Sequence, residues 1–593
     1  MIRLLFVFVV WWFGGICVAN AVPPVYSGPK PNVIVVLTDD QGYGDLSVHG
    51  NPVLKTPHLD ALHAESIRFT DFHAAPVCTP TRGQLLTGRD AMHNGAWSWA
   101  FGHEMIHGEN MTMADIFRAN GYRTGHFGKW HLGDNFPYRP GDKGFDDSIS
   151  HGGAATHQTP DYWQNDNFDD FYRHKNGEFH QHMGYCTDVW FDLSMFFMKR
   201  CQYRKEPFLL YLPTNAPHGP HYVAEKYSEK YKDSGTAADF FGMIANFDEN
   251  MGRLLDFLDE NELAENTILI FMTDNGATAG YNIYNAGMRG KKMMYYDGGH
   301  RVPCFIRWPR GDFGKPRDIE NLTQVQDILP TLIDLCELDC DPAVTGKFDG
   351  TSLAGLLKKE TKRLPDRKLV VQWSPLDFPE YGQAAVLWKK WRLVHDRELY
   401  NIDKDPSQTR DVAEKHPEIL EVLKAHYADW WESVQPVVSV YSRIGIGGDE
   451  NPVRLSCFEW TKKTNLKVNV TAQHRSVYPG GKINGSWMLD VVEPGRYRFD
   501  LRRYPKEADF AMTGAYPETK REFRTFPECK ALPVTEARIK IGEYDAQKPV
   551  TASDKFISFE TTLAAGEIEM RTWLMDAAGE ELCGAYYVDV EKL

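Results

Sequence analysis

Two short apolar runs in the first half of the chain have the pattern of buried strands. One is VIVVLT at residues 33–38 and the other is TILIFMT at residues 267–273. A continuous run rich in β-branched residues predicts a parallel strand that is covered on both faces. The second run follows apolar residues at helical spacing, namely Ile244, Phe247, Met251, Leu254 and Leu258. This pattern predicts an α/β fold.

The pattern changes after about residue 445. Segments of alternating polar and apolar residues stand between Gly, Pro and Asn turns, among them GRYRFDLRRYP, EARIKIGEYD, KFISFETTL, EIEMRTWLMD and AYYVDV. Alternation with a period of two predicts short strands with one buried face. We therefore predict a β-sandwich domain at residues 445–593. Its aromatic residues leave two alternatives open, glycan binding and packing against the rest of the chain.

The N-terminus has the pattern of an export signal. Arg3 is followed by an apolar run at residues 4–16, which is too short to span a bilayer comfortably, and by an Ala-Asn-Ala sequence at residues 19–21. We predict a signal peptide at residues 1–21 and a protein that is exported to the periplasm or secreted. No other stretch is long and apolar enough to predict a transmembrane segment.

Composition narrows the possible partners. The 593 residues allow two to four domains, and 42% hydrophobic with 25% charged residues is ordinary for a globular protein. A net charge of −15 gives no basic surface for nucleic acid, so we expect no nucleic-acid partner. An anionic substrate would therefore have to meet a locally positive pocket.

Both predicted strands end in polar pairs. Asp39 and Asp40 follow the first strand, and Asp274 and Asn275 follow the second. Ligands of α/β proteins gather at the carboxyl ends of parallel strands, although such pairs can also cap helices or shape turns. Carboxylates and an amide, with no histidine or thiolate among them, favour one calcium ion over zinc.

The twelve residues CTPTRGQLLTGR, from Cys78 to Arg89, carry the strongest motif. Cys78 stands two residues before Pro80 and four before Arg82, and Thr-Gly-Arg follows. The segment resembles the C-x-P-x-R signature of the type I, arylsulfatase-like sulfatases of the alkaline phosphatase superfamily. The other reading of Cys78 is a buried small hydrophobe or half of a disulfide.

The resemblance implies a modified nucleophile. In that family a maturation enzyme, the formylglycine-generating enzyme, oxidises the cysteine to formylglycine. One hydroxyl of the aldehyde hydrate attacks the sulfur of a sulfate ester, and deprotonation of the other expels sulfate and restores the aldehyde. The resemblance also implies that calcium is held by Asp39, Asp40, Asp274 and Asn275, and that it contacts the formylglycine hydrate formed from Cys78 and a sulfate oxygen.

Three further segments match the family. In GKWHLG, Lys129 corresponds to the sulfate-binding lysine and His131 to a site histidine; on an extended segment the two would point the same way. The end of APH places the proton-donating histidine at His218, with His221 as a neighbouring alternative.

The third segment is KKMMYYDGG, where counting back five residues from Asp297 gives Lys292, with Lys291 as the alternative. The usual family residues are Glu at the position of Asp297 and Gly at the position of Met293. Together with Arg82 and Lys129, Lys292 would neutralise the sulfate and stabilise charge on its nonbridging oxygens. Ser150 aligns only loosely with a sulfate-contacting position, and we treat it as a turn residue.

The resemblance extends over roughly residues 30–435 and implies the domain organisation. Residues 22–365 are expected to form an alkaline-phosphatase-like sandwich with a large mixed sheet between helices. Residues 366–440 are expected to form the small C-terminal subdomain, a short antiparallel sheet with a terminal helix. Without residue 17 and Cys78, eight cysteines remain, an even number that permits disulfides without assigning them. They contain no CxxC pair, which disfavours a zinc ribbon.

The substrate class is inferred from the predicted export and from the added β domain. An exported sulfatase with an added β domain fits a sulfated polysaccharide or oligosaccharide better than a steroid. Four aromatic residues in the expected rim could stack on sugars or belong to the core: Trp97, Trp99, Tyr162 and Trp163. The alternative functions are a phosphate or phosphonate monoester hydrolase of the same superfamily, and a sulfated-glycan binding protein in which Cys78 is never matured.

Overall fold

The computed structural model describes residues 30–464 and 474–593. The predicted signal peptide, residues 1–21, lies outside the described residues. Among those that are described, no helix has both the length and the apolar character that crossing a bilayer requires.

A mixed sheet of ten strands forms the centre of the first part of the chain. The strands up to residue 324 are β1 (Asn32–Thr38), β2 (Ile67–Phe69), β3 (Phe72–His73), β4 (Arg123–Phe127), β5 (Asp147–Ser150), β6 (Phe171–His174), β7 (Phe179–Gln181), β8 (Phe208–Pro213), β9 (Thr267–Thr273), β10 (Cys304–Arg307), β11 (Arg317–Ile319) and β12 (Thr323–Gln324). The sheet order is β11-β2-β10-β9-β1-β8-β4-β5-β6-β7, and β3 pairs separately with β12.

Helices cover both faces of this sheet. The described α-helices are α1 (Pro57–Glu65), α2 (Cys78–Thr87), α3 (Ala91–Asn94), α4 (Met113–Ala119), α5 (Cys186–Arg204), α6 (Glu225–Ser228), α7 (Ala238–Glu260), α8 (Asp297–His300), α9 (Ile328–Cys336), α10 (Pro342–Thr345), α11 (Ala354–Leu357), α12 (Pro417–Val438) and α13 (His474–Val477). Side chains of β1 alternate between the two layers: Val33 and Val35 pack with α2, α4 and α9, whereas Ile34 and Val36 pack with α1, α5 and α7. The predicted α/β fold is confirmed.

Five neighbouring strands of the sheet, β9, β1, β8, β4 and β5, run parallel. All five end at the same edge, because carboxyl ends of parallel strands lie side by side. The two predicted strands are adjacent there, with Thr38 of β1 opposite Thr273 of β9. Their side chains are almost entirely buried, as the uninterrupted apolar runs predict.

A small antiparallel sheet follows the central one. Its strands are β13 (Leu369–Gln372), β14 (Ala384–Trp388), β15 (Trp391–Val394) and β16 (Glu398–Asn401), paired in chain order. Helix α12 packs on one face through Leu423 and Tyr427. A short sheet with a terminal helix was expected in this part of the chain.

The last part of the chain consists mainly of strands. They are β17 (Ile444–Ile446), β18 (Val453–Ser456), β19 (Ser486–Val491), β20 (Gly495–Arg502), β21 (Thr519–Lys520), β22 (Thr525–Phe526), β23 (Glu536–Ile541), β24 (Tyr544–Pro549), β25 (Ile557–Leu563), β26 (Gly566–Met575), β27 (Glu581–Cys583) and β28 (Tyr587–Lys592). A sheet of order β17-β19-β26-β23-β24, with β27 beside β26, shares one core with the sheet β18-β28-β20-β25. We call these strands the β-sandwich.

The β-sandwich shares its core with segments of the first part of the chain. Met105, Tyr138 and Trp163 belong to the same buried cluster as the sandwich strands. The Trp163 ring lies 5.6 Å from Tyr478 and 6.0 Å from Tyr504, measured between centroids. The two parts are therefore joined by a packed apolar contact as well as by the chain.

We expect Trp163→Ala to destabilise the protein by about 3 kcal/mol or more, because truncating a buried tryptophan removes apolar area and leaves a cavity. The measurement is denaturant unfolding followed by circular dichroism. Trp573→Ala is the matched control, since Trp573 is only half-buried on the sandwich surface. Equal losses in the two variants would contradict a shared core.

Candidate active site at the carboxyl edge of the sheet

Cys78 occupies the first position of α2, and every residue of that helix is buried. The preceding Val77 is extended, so the chain turns into the helix at the cysteine. Pro80 fits because amide groups in a first helical turn have no intrahelical acceptor. Arg82 follows one turn later, on the same side as Cys78. The motif spacing thus places the thiol and the guanidinium together at the positive end of a helix.

A threonine inside the motif fixes α2 to the end of β9. The Thr81 hydroxyl donates to the backbone oxygen of Asp274 at 2.7 Å and accepts from the Ala75 amide at 2.9 Å. Because Thr81 lies between Cys78 and Arg82, these bonds hold both beside the acidic residues of β9.

The four polar residues after β1 and β9 meet at one point. The Asp40 amide donates to Asp274 Oδ1 at 3.1 Å, and Asn275 Nδ2 donates to Asp40 Oδ1 at 2.9 Å. Asp39 Oδ1 accepts from Cys78 Sγ at 3.3 Å. Ligand atoms of Asp39, Asp40, Cys78 and His218 all lie within 4.8 Å of one another. The structure thus brings together the residues that the sequence assigned to a metal.

Three cations surround the carboxylates. Lys129 Nζ contacts Asp39 Oδ2, and Arg82 Nη2 lies 3.1 Å from Asp274 Oδ2. Lys292 Nζ lies 2.5 Å from Asp40 Oδ1 and 3.4 Å from Cys78 Sγ. Because the three cations balance the three carboxylates in formal charge, a divalent ion would leave a positive surplus that favours an anion.

Lys291, the alternative to Lys292, lies elsewhere. Its Nζ donates to the Tyr281 hydroxyl at 3.2 Å and lies 4.4 Å from the centre of that ring. The described contacts therefore place Lys292, and not Lys291, against residue 78.

The thiol of Cys78 is protonated at neutral pH. Burial, together with the negative charge of Asp39, raises the pKa of Cys78 to about 12, although Lys129 and Lys292 oppose this shift. A thiolate is the nucleophilic form of cysteine. The environment of Cys78 therefore disfavours direct nucleophilic attack by the unmodified cysteine thiol.

His218 lies beside the acidic cluster with its Nε2 3.7 Å from Asp40 Oδ2. Its Nδ1 donates to the Gly219 oxygen at 2.6 Å, which leaves the Nε2 lone pair of the neutral ring facing the site. Burial lowers the pKa of His218 to about 4, and Asp40 opposes this. His221, the alternative, packs instead against Phe240, with 5.5 Å between ring centres.

His131 lies in a loop, so the expectation of an extended segment is wrong. Strand β4 ends at Phe127, and His131 has a φ of 57°. Its Nε2 donates to the Trp99 oxygen at 2.8 Å, while Nδ1 is buried without a hydrogen-bond partner among the described residues. Burial and the charge of Lys129 hold the pKa of His131 well below its usual value. The ring is neutral, with a lone pair at Nδ1.

His151, which was not among the predicted site residues, lies in the same charged cluster. Burial lowers the pKa of His151 to about 4, and Lys129 and Arg82 lower it further. Its Nδ1 donates to the Gly152 oxygen at 3.0 Å, and Nε2 has no partner in the described part of the chain. Two signals were available in the sequence: its position after β5, at the carboxyl edge, and the loose alignment of residues 150 and 151 with a sulfate-contacting position. Ser150 is the last residue of β5, so its interpretation as a turn residue is wrong.

Two of the four aromatic residues that could have formed a sugar-binding rim belong to the core. Trp97 is fully buried between α3 and α12, and Trp163 lies in the sandwich core. Trp99 and Tyr162 remain partly exposed. Sequence alone cannot separate these cases, because apolar contacts with distant segments decide them.

Asp297 supports the loop that carries Lys292. It is buried, its Oδ1 accepts from Arg392 Nε at 3.2 Å, and its amide donates to Gln408 Oε1 at 2.8 Å. Both partners lie on or beside the small antiparallel sheet. Asp297 thus anchors the turn of the loop that carries Lys292.

The cluster fits a hard divalent cation. Asn275 Oδ1 is a buried acceptor without a hydrogen-bond donor among the described residues. Burial, and after it the negative charge of Asp39, raise the pKa of Asp274 to about 7, because both disfavour the charged form of the carboxyl. An oxygen-binding cation would satisfy the amide oxygen and relieve the repulsion.

In the described part of the chain, eight cysteines form no disulfide: Cys78, Cys186, Cys201, Cys304, Cys336, Cys340, Cys529 and Cys583. The even number of cysteines therefore does not correspond to disulfides in this structure.

Comparisons with known proteins agree with this geometry. The profile of the family described as Sulfatase matches residues 31–338. An ulvan-active sulfatase of Formosa agariphila is 28% identical over 415 residues, which cover 65% of this chain and 78% of the relative. An N-acetylgalactosamine-6-O-sulfatase of Bacteroides thetaiotaomicron is 29% identical over 487 residues, covering 66% and 92%.

Among solved structures, that of Ps i-CgsB in complex with k-i-k-neocarrahexaose is similar with a TM-score of 0.62. It is 24% identical, and the match covers 70% of this chain and 95% of that one. This likeness supports an α/β fold of the alkaline-phosphatase type, which confirms the predicted fold class. The chain belongs to the type I sulfatase family, and it is therefore a sulfuric ester hydrolase.

We expect Asn275→Ala to lower both the divalent-metal content and the thermal stability gained on adding metal. The substitution removes a neutral oxygen ligand and leaves the carboxylate repulsion uncompensated. The measurements are elemental analysis after dialysis and melting curves with and without chelator. Asn246→Ala is the control, because Asn246 is buried in α7 and bonds to Asp188. Equal metal content in both variants would argue against a cation at Asn275.

Proposed function

We propose that this protein is an exported sulfatase that removes sulfate from a sulfated polysaccharide or oligosaccharide, with Cys78 converted to formylglycine. The contact set around Cys78 carries the proposal. The buried Cys78 thiol contacts Asp39, a carboxylate that could help bind a metal, and lies 3.4 Å from Lys292 Nζ. Arg82, one turn later in α2, bonds to Asp274. Three cations around residue 78 suit the binding of a negatively charged sulfate ester. The neutral thiol of Cys78 is a poor nucleophile, which favours its role as the precursor of formylglycine.

The glycan part of the proposal rests on the relatives. The two sulfatases compared above are named for carbohydrate substrates, one for ulvan and the other for N-acetylgalactosamine sulfated at position 6. They support a sulfated glycan as the substrate class.

Calcium is the ion that the donor set favours. It would be held by Asp39, Asp40, Asp274 and Asn275. These four side chains offer carboxylate and amide oxygens, and none of them is a thiolate or an imidazole. When bound, calcium would supply positive charge beside residue 78 and the sulfate oxygens. Formylglycine would supply, through its hydrate, a hydroxyl that attacks sulfur.

The remaining chemistry belongs to the chain's own side chains. Lys129, Lys292 and Arg82 would bind and orient the sulfate and stabilise the charge that develops on its nonbridging oxygens. His131 Nδ1, with its free lone pair, suits the acceptance of a proton from a hydroxyl at residue 78.

His218 would give its proton to the leaving oxygen. In the free protein this ring is neutral, so the role requires a raised pKa. A bound sulfate ester carries negative charge next to His218 and shifts the pKa in that direction. The proton would then leave from Nε2, the nitrogen on the side of Asp40.

The central test is the chemical state of residue 78. The peptide containing Cys78 is expected to be about 18 Da lighter than its sequence mass, the difference between cysteine and formylglycine. Cys78→Ala should fold normally and lose at least 99% of sulfate release. Cys201→Ala, a buried thiol in α5, is the control and should keep activity. An unmodified Cys78 in a fully active preparation would disprove the formylglycine mechanism.

The same preparation distinguishes the two alternatives. Sulfate and phosphate esters of one phenol are assayed side by side, and the purified protein is analysed for bound metal. Preference for the phosphate, with zinc in place of calcium, would indicate a phosphomonoesterase. An unmodified Cys78 with glycan affinity and no turnover would indicate a binding protein.

The roles of His218 and Lys292 can be separated with two leaving groups. A proton donor matters most for a poor leaving group such as a sugar hydroxyl, and least for an acidic phenol. We therefore expect His218→Ala to reduce kcat/KM about a hundredfold more on a sulfated oligosaccharide than on an aryl sulfate. Lys292→Ala should slow both substrates by similar factors. The opposite pattern would mean that the two assignments are exchanged.

A further inference from the structure

A hairpin of the β-sandwich packs against the loops around the site. We call β21, β22 and the residues between them the docking hairpin. Its Phe523 amide donates to Asp166 Oδ2 at 2.9 Å, and the Phe523 ring stacks on Tyr222 with 6.2 Å between centres. Tyr222 lies four residues after His218, in the same segment that follows β8. The β-sandwich therefore contacts the segment that carries the proposed proton donor.

The docking hairpin contains two arginines in different electrostatic surroundings. Arg521 Nη2 lies 3.3 Å from Asp170 and 3.6 Å from Asp166, so its charge is paired. Arg524 Nη1 lies 2.8 Å from His157 Nδ1 and 3.2 Å from the Tyr222 hydroxyl, and neither of these groups is a carboxylate.

No carboxylate among residues 30–464 and 474–593 lies within ion-pair distance of Arg524. Residues 1–29 and 465–473 contain no Asp or Glu, so they cannot supply one. Without an acidic partner, the guanidinium of Arg524 keeps its positive charge available for an anionic ligand.

Arg524 also lines a pocket of about 720 Å³. Lys530 adds a second cation, Glu528 is the one acidic residue of the lining, and Tyr478 contributes an aromatic wall. The volume lies within the range of small-ligand sites and can accommodate a sugar unit. Only Nη1 of the guanidinium bonds to described residues, so its remaining donors can bind a ligand.

We propose that this pocket binds a second anionic group of the glycan, a sulfate or a carboxylate on a sugar other than the one that is hydrolysed. The inference rests on the proposed function, because that function supplies a polyanionic substrate. Arg524 holds the anion through charge-assisted hydrogen bonds, and its contact with Tyr222 links this second point to the segment that carries His218. The β-sandwich is then part of the substrate-binding surface.

Binding is measured by calorimetry with Cys78→Ala protein, so that no turnover is needed. The probes are a dextran sulfate oligosaccharide, an oligogalacturonate and neutral dextran of similar length. We expect Arg524→Gln to weaken binding of at least one anionic probe about tenfold, the usual effect of losing a charge-assisted hydrogen bond. The probe that responds identifies sulfate or carboxylate as the preferred anion, and neutral dextran should not bind.

The controls separate charge from folding. Arg496→Gln removes an exposed arginine of the same domain that pairs with Glu560, and it should change affinity less than twofold. Arg524→Lys keeps the charge and should retain most of the affinity. If Arg524→Gln unfolds, Lys530→Gln tests the same pocket from an exposed position and should weaken binding about threefold.

Equal affinities of wild type, Arg524→Gln and Lys530→Gln for both anionic probes would overturn the proposal. In active protein, Arg524→Gln should raise KM for a sulfated oligosaccharide and leave hydrolysis of a small aryl sulfate unchanged. Loss of binding in Arg524→Gln from a protein without sulfatase activity would instead refute the proposed function alone. The two failures are therefore distinguishable.

Discussion

The site depends on the balance between buried carboxylates and buried cations at one edge of the sheet. Asp39 is fully buried, and it contacts Lys129 and the Cys78 thiol while Arg82 lies 3.6 Å away. A buried ion pair is costly to break, since removing one partner leaves an uncompensated charge. Each residue of the cluster therefore holds the others in place, and the geometry around residue 78 is fixed before any substrate arrives.

The sheet explains how distant segments reach this cluster. Parallel neighbours β9, β1, β8 and β4 end side by side, and each is followed directly by a residue that the site uses or by the loop that carries it. The apolar runs at β1 and β9 made this arrangement predictable from sequence, and the polar pairs after them marked its active edge. The identity of Lys292 was also predictable, although only its contacts separate it from Lys291.

Other features depend on contacts that no local pattern encodes. Trp97 and Trp163 looked like candidates for a sugar-binding rim, yet each fills a core built from segments hundreds of residues away. The backbone turn at His131 depends on the loop after β4, and the spacing of Lys129 and His131 gave no sign of it. Arg524 was hidden for a similar reason, because a missing acidic partner becomes visible only when the surroundings of the guanidinium are known.

The pairing of β1 with β9 has a consequence for how the protein folds. Asp40 and Asn275, which meet through a hydrogen bond, are separated by 235 positions along the chain. Contacts of such high sequence separation form late and slowly, because the intervening chain must first lose its freedom. A partly folded or partly synthesised chain can hold the first acidic pair and residue 78, but it cannot complete the cluster. Catalytic competence is therefore a late event of folding.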